Sequence, residues 1–397
     1  MRTTARRLAM IGIAASLLLA AVPANAQQFI MKLSQPTSND VTYEYFKRMK
    51  AGIEQRSAGK IKVEIYPANQ LGQLPAVVEG VALGTIEVAA SANGFWISLE
   101  PRFAVLDASG LFDSVSHGFK MLNDPAIRAR MATWGADKGI EVLAPSLYSP
   151  LMLLSHKAVR TVADLAGQKI RTQGGAPIQV EPLKKVGVIP VSLPLGEALP
   201  AMQNKTIDGM VGAAAPYIAF KYYDIAKPMT YLPATLFAAP VVVNRQWLKS
   251  LGPDLEKIVR EESLKAEDVF GDWNINDIRS KEEAWKKHGG EVIAMSGDES
   301  KRYVDTVSPV AASILSANPK IKDDYGGVVG GGEEVPVAAF SFAQRRFWLR
   351  VVTMRMAHGC EGVAAGRAPV RAKSQPRSLP QFVCDCGKNP FSLNEGC

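Results

Sequence analysis

The sequence predicts an α/β protein of two lobes, each a mixed sheet flanked by helices, with one long helix crossing both. Three observations carry this expectation. The stretch 167–213 alternates short strands with helices: a strand at Lys169-Ile170-Arg171 closed by Gly174-Gly175, a helix over about 177–186, and a second strand over 188–191. A further helix from Leu195 carries Ala198, Met202 and Ile207 towards an Asp208-Gly209 turn. This alternation is the signature of βαβ units. The 299 residues from 27 to 325 are ample for two lobes rather than one. Residues 1–359 contain no cysteine, so an ordinary apolar core, not disulfides, must hold the body together.

In chain order, residues 1–26 read as a secretory signal. Arg2, Arg6 and Arg7 make a positive start, an Ala- and Leu-rich run follows, and Ala24-Asn25-Ala26 fits the small-x-small cleavage site. The apolar run falls short of the roughly 20 residues a membrane span needs, so an exported protein is expected. A strand over 29–33 and a polar loop over 34–40 lead into a helix over 41–57, whose Tyr43, Phe46, Met49 and Ile53 keep helical spacing. A strand over 61–66, a helix over 75–83 and a short buried strand over 86–90 follow. The next loop, 91–96, lies at a strand's carboxyl end, where its aromatics can line a pocket. An apolar segment over 103–112, helices over 115–123 and 125–138, and a strand over 141–148 complete the approach to the second lobe.

The second lobe begins at 151–155, with a brief helix over 162–165 before the organising stretch. A tyrosine-rich helix over 217–227 comes after it, and the run Pro240-Val241-Val242-Val243-Asn244 should return the chain to the first lobe. A long helical region over 252–288, a strand over 289–295 and a helix over 298–316 close the body. The expected division is a signal at 1–26, a first lobe of 27–148 plus 238–277, and a second lobe of 149–237 plus 278–325. Residues 326–397 read as an irregular tail from a shifted reading frame. Its glycine run shows no periodicity, and Cys384-Asp385-Cys386 with Cys360 and Cys397 fits no standard zinc spacing.

Charge excludes one class of function. The net +8 contains three arginines and no acid from residues 1–26, and nine basic against five acidic residues from 326 onward. About +1 is left for the body, which therefore has no basic stripe for a phosphate backbone, and no nucleic-acid partner is expected. Catalytic constellations are equally lacking. His117, His156 and His288 fall in no recognisable motif, and there is no phosphate loop, no G-x-S-x-G and no dinucleotide fingerprint. Neither a metal, a cofactor nor enzymatic activity is expected. Arg171 is the candidate of interest: it ends a strand where open α/β sheets collect ligands, and its guanidinium offers a fixed fork of donors to a carboxylate.

Several short blocks, in this order and spacing, resemble the solute receptors of tripartite ATP-independent periplasmic (TRAP) transporters, the dicarboxylate-binding-protein family. They are Gln70-Leu71-Gly72, the run GVALGTIEV from Gly80 to Val88, the G-x-K-I-R block ending at Arg171, and Ile207-Asp208-Gly209. The resemblance spans residues 28–325. It implies a periplasmic receptor that closes two lobes on a small organic carboxylate held by Arg171 and delivers it to the membrane permease subunits. A monomer is expected, with a dimer left open. The alternatives are an exported enzyme acting on a small carboxylic acid, or a receptor feeding a sensor.

The ligand-binding set expected from strand ends and from the resemblance is Gln35, Asn93, Phe95, Trp96, Leu151, Arg171, Leu195 and Gly212. Departures from the family pattern bear on specificity. Met210-Val211-Gly212-Ala213 stands where many members have Gln-Glu-Asn-Pro, Leu151 where sialic-acid-binding relatives carry a second arginine, and Ala92 and Phe95 where they carry polar side chains. Each unpaired ligand hydroxyl would cost about 1–3 kcal/mol in such surroundings, so an apolar or aromatic monocarboxylate is expected.

Overall fold

The computed structural model describes residues 29–112 and 114–330, all belonging to one compact unit. Eleven strands form two mixed sheets. The first has the order β2-β1-β3-β10-β4, from β1 (Phe29–Ser34), β2 (Ile61–Tyr66), β3 (Val88–Ala90), β4 (Ile140–Ala144) and β10 (Val241–Asn244). The second has the order β11-β9-β5-β8-β6-β7, from β5 (Leu147–Ser155), β6 (Lys169–Thr172), β7 (Ile189–Ser192), β8 (Gly209–Gly212), β9 (Pro228–Ala238) and β11 (Glu291–Ile293). The chain thus leaves the first sheet between Ala144 and Leu147. It returns between Ala238 and Val241, where β10 pairs antiparallel with both β3 and β4.

Strand alternation divides the cores. Val88, Ala90, Val241 and Val243 face the cluster that holds Tyr45, Phe46 and Met49, whereas Ala89 and Val242 face the opposite cluster around Trp96 and Phe103. In the second sheet Met152, Leu154 and Met210 pack with Tyr217 and Trp285, and Leu153 and Val211 pack on the other face with Val304 and Val307. Successive side chains on opposite faces are the period-2 geometry of a pleated strand, and a sheet buried on both faces needs apolar residues at every position.

Several elements differ from the sequence expectation. The segment over 141–148 is not one strand. It breaks at Pro145-Ser146 into β4 and β5, one in each sheet. The helix over 125–138 stops at Met131 and resumes as a single 3₁₀ turn, Ala136–Lys138, because Gly135 takes φ 71°. The tyrosine-rich helix over 217–227 is also broken. A helix ends at Ala219, Lys221 adopts φ 55°, and Tyr222–Asp224 makes a 3₁₀ turn. The long helical region arrives as two helices, Gly252–Ala266 and Asp272–Lys287, separated by a 3₁₀ turn at Glu267–Phe270 and by Gly271.

The glycine run from 326 was expected to be irregular, yet a helix Pro319–Gly330 continues through it. Ile321, Tyr325 and Val328 fall at i, i+4 and i+7, the spacing of one helix face. Ile321 and Val328 are 3% and 2% exposed, and all three pack into the cluster around Trp96 and Phe103. Three apolar anchors outweigh the poor helix propensity of Gly326 and Gly327. Residues 1–28, which include the expected signal, and residues 331–397, with all four cysteines, lie outside the described residues.

Candidate functional site

The site grows from the β6–β8 pairing. Asp208 binds β6 twice: its backbone N–H donates to the Lys169 carbonyl at 2.8 Å, and its carboxylate accepts from the Lys169 N–H, also at 2.8 Å. The next residue must be glycine, since a Cβ on Gly209 would lie 2.4 Å from the Leu154 carbonyl oxygen. The Asp-Gly pair is therefore a register lock, and it sets Met210 opposite Arg171 in the parallel ladder.

Arg171 is 2% exposed, so this strand-end side chain is buried rather than solvated. Its Nε donates to the Leu193 carbonyl at 2.9 Å, fixing the plane of the guanidinium, while Nη2 is buried with no hydrogen-bond partner. Among the described residues no acidic side chain forms an ion pair with it. Burial brings its pKa down to about 10, against the opposing influence of the Tyr217 and Tyr222 hydroxyls, so the group stays charged at neutral pH. A buried charge lacking a partner is strongly unfavourable unless an opposite charge reaches it.

Arg171 lines a chamber of about 50 Å³ whose walls come from both sheets. Pro36, Leu74, Ala92, Phe95, Leu195 and Met210 give it an apolar lining. Gly212 ends β8 at its floor, where a Cβ would come 2.9 Å from Tyr217 Oη. That hydroxyl donates to the carbonyls of Met152 and Met210 at 3.0 and 2.9 Å. Asp40, the N-cap of the helix Val41–Arg56, also lines the chamber, but donors already surround it: the Tyr43 N–H at 2.9 Å, the Tyr148 hydroxyl at 2.7 Å and the Thr37 hydroxyl. Burial nonetheless pushes the Asp40 carboxyl above the usual range.

Of the eight expected residues, Arg171, Phe95, Leu195 and Gly212 meet in this chamber. Asn93 and Leu151 line a neighbouring one of about 40 Å³, together with Asp107, Ser109, Gln179 and Thr235. Gln35 lines neither; it is 1% exposed, and its amide donates to the Thr37 carbonyl at 2.7 Å. Trp96 was expected in the same pocket-lining loop as Phe95. Instead Asn93–Ile97 forms a helical turn that swings Trp96 into the core, fully buried and stacked 6.1 Å from Phe103.

Tyr148 and Phe237 were missed, although they sit on the two segments that cross between the sheets and meet edge to face at 5.6 Å. Their place at the crossings was the available signal. Asp40 and Asp107 gave no local signal. Among the described residues no cluster of three or more His, Cys, Asp or Glu could hold a metal ion, and no helix is long and apolar enough to cross a membrane.

The candidate site is thus a buried strand-end cation beside a chamber walled by both sheets, and comparison with known proteins places the chain in a class of solute receptors. Residues 34–318 match the bacterial extracellular solute-binding protein family 7, and the chain belongs to this family of TRAP solute-binding proteins. It is 25% identical over 271 residues to the 2,3-diketo-L-gulonate-binding periplasmic protein of Escherichia coli K12, covering 68% of this chain and 81% of that one. It is 26% identical over 233 residues to the ectoine/5-hydroxyectoine-binding periplasmic protein of Ruegeria pomeroyi, covering 58% and 67%. A TRAP periplasmic solute-binding protein from Haemophilus influenzae, solved with bound L-gulonate, superposes with a TM-score of 0.71 over 76% of this chain and 98% of that one, at 21% identity. At that identity the likeness establishes the fold.

Proposed function

We propose that this protein is the periplasmic receptor of a TRAP-type secondary transporter. In this reading it is exported by a signal cleaved after Ala26, closes its two lobes on a small organic carboxylate, and presents it unchanged to the membrane permease. The observation that carries the reading is the buried Arg171 guanidinium. Its Nε is spent on Leu193, its Nη2 is unpaired, and among the described residues no acidic side chain forms an ion pair with it. An incoming carboxylate would supply the missing charge and accept in the guanidinium's fork geometry.

The chamber wall favours an apolar or aromatic monocarboxylate over a sugar acid. Ala92, Phe95, Leu195 and Met210 offer no side-chain partners for a row of hydroxyls, and Thr37, Tyr148, Ser91, Gln173 and Tyr217 already donate to Asp40 or to backbone carbonyls, so an added hydroxyl would lose hydrogen bonds to water on entry. A ligand touching both sheets favours the closed arrangement, since a ligand shifts an equilibrium by its differential affinity for the two states. Calorimetry against a carboxylate panel tests the reading, with mass spectrometry of each bound acid afterwards. The expected result is one stoichiometric site, preference for apolar carboxylates, and recovery of the acid unchanged. Preference for polyhydroxylated acids would overturn the specificity, and turnover would overturn the receptor role.

A further inference from the structure

The two neighbouring chambers share Gln173 and Phe237 as lining residues but are chemically opposite. One contains a buried cation, Arg171, which among the described residues forms no ion pair, the chamber's own Asp40 being held by Tyr43, Tyr148 and Thr37 instead. The other contains a carboxyl without a cation: among the described residues no cation pairs with Asp107, which accepts from the Gln179 amide, with the Asn93 amide close by. The Gln179 Nε2 donates to Asp107 Oδ2 at 2.8 Å, and the Asn93 Nδ2 donates to the Phe103 carbonyl at 2.8 Å. The Asn93 bond fixes that amide's orientation, because a backbone carbonyl can only accept, and the Gln179 bond does so while Asp107 is ionised. Asn93 Oδ1 is therefore a true acceptor, as is Gln179 Oε1 beside the ionised carboxylate, and both are buried without a partner. Asn93 itself is 2% exposed.

The nearby hydroxyls do little to redress the balance. Thr172 donates to the Gly174 carbonyl at 2.6 Å, and the single Thr235 proton is contested by the Pro233 carbonyl at 3.1 Å and Ser109 Oγ at 3.2 Å. Tyr303 and Ser109 also line the chamber and each hydroxyl can donate once, against the buried acceptors Asn93 Oδ1, Gln179 Oε1 and the two oxygens of Asp107, so acceptors outnumber donors. Its volume of about 40 Å³ exceeds the roughly 10–15 Å³ that one water needs, which suits a hydroxyl or ammonium head.

Building on the Arg171 reading, we infer that the ligand carries one hydrogen-bond donor, a hydroxyl or an ammonium, at the end remote from its carboxylate. The carboxylate rests on Arg171, the apolar body crosses the wall formed by Gln173 and Phe237, and the donor enters the small chamber to meet Asp107 and Asn93 Oδ1. The carboxyl of Asp107, which burial moves up to about 7, accepts from a hydroxyl in either protonation state and pairs with an ammonium when ionised. A site built to bond such a donor rejects the analogue lacking it, because buried acceptors are then left unpaired.

Matched acids test this by calorimetry on the full chain: hexanoate against ω-hydroxyhexanoate and ω-aminohexanoate, and phenylpropionate against para-hydroxyphenylpropionate. In the native protein the donor-bearing member of at least one pair should bind at least about tenfold tighter than its plain partner. The hydroxyl and amino arms show which donor is preferred. In Asp107→Asn that advantage should shrink at least about fivefold while the plain acid's affinity is kept. Equal binding within every pair of the native protein overturns the inference without any variant. So does an Asp107→Asn variant that weakens both members of a pair alike, since Asp107 then only ties Gln179 across the cleft. Plain acids that bind natively and are lost in Arg171→Met, with no donor preference, sink this inference and leave the Arg171 reading standing. No binding by any of these acids sinks both.

Discussion

The two halves of the molecule treat buried charge in opposite ways. Around the first sheet the chain neutralises its own arginines. Arg128 grips Glu267 with both ends of its guanidinium, at 2.7 and 2.8 Å, and Glu267 is only 3% exposed. Arg102 pairs with Glu100 at 2.8 Å, and Arg260 pairs with Glu141. In the second sheet Arg171 is buried as deeply as Glu267, yet among the described residues its side chain bonds only to a backbone carbonyl. A structural arginine comes with its acid because the fold must hold in every state. On the proposed reading, an arginine given only an orienting bond is matched to a ligand from outside the chain, whose affinity offsets the burial cost.

The largest expected effect tests that contrast directly. Arg128→Met leaves Glu267 buried without its counter-charge and should lower unfolding stability by about 3–5 kcal/mol in urea titrations, with affinity of the remaining folded protein unchanged. Arg171→Met should do the reverse, with stability held or raised and carboxylate binding lost. If both variants lose stability by similar amounts, the contrast fails.

The first half can be probed further through the helix Pro319–Gly330. A chain ending at Tyr325 loses Val328 from the core and should be about 1.5–3 kcal/mol less stable than one ending at Gly330. Equal thermal midpoints for the two would show that Val328 contributes nothing to that core. A smaller change is expected from Arg171→Lys, which keeps the charge but loses the fork. Affinity should fall at least tenfold, about 1.4 kcal/mol, by calorimetry, and an unchanged dissociation constant would remove the bidentate geometry from the site.

A further expected effect concerns pH. The Asp107 carboxyl is raised from 3.8 to about 7 by burial. Between those values the folded state holds a proton that the unfolded chain has released, so stability should fall as pH rises through that window. Asp107→Asn should flatten this slope by a few degrees of melting temperature. A variant that keeps the full slope would assign it to other groups.

Neighbouring residues show how much of this was legible in the sequence. Arg171 was found because a strand, a glycine turn and the family-like block coincide within a few positions, all local signals. Asp208-Gly209 was equally visible, though as a turn; that it locks β8 against Lys169 depends on strand pairing 39 residues apart. Phe95 and Trp96 were indistinguishable as letters. A helical turn at Asn93–Ile97 places them about 100° apart around its axis, so one lines the chamber and the other fills the core.

By itself the sequence determined the α/β class, the order of nearly every element and the one strand-end arginine, since periodicity and turn chemistry act over a few residues. Only the tertiary structure decided which side chains share a chamber. Tyr148 and Phe237 meet across 89 positions of chain, and Asp107 reaches Gln179 across 72. Whether a carboxyl is neutralised, capped or left facing a cavity depends on what the other lobe brings to it. Desolvation and pairing act through space, and no local pattern records them.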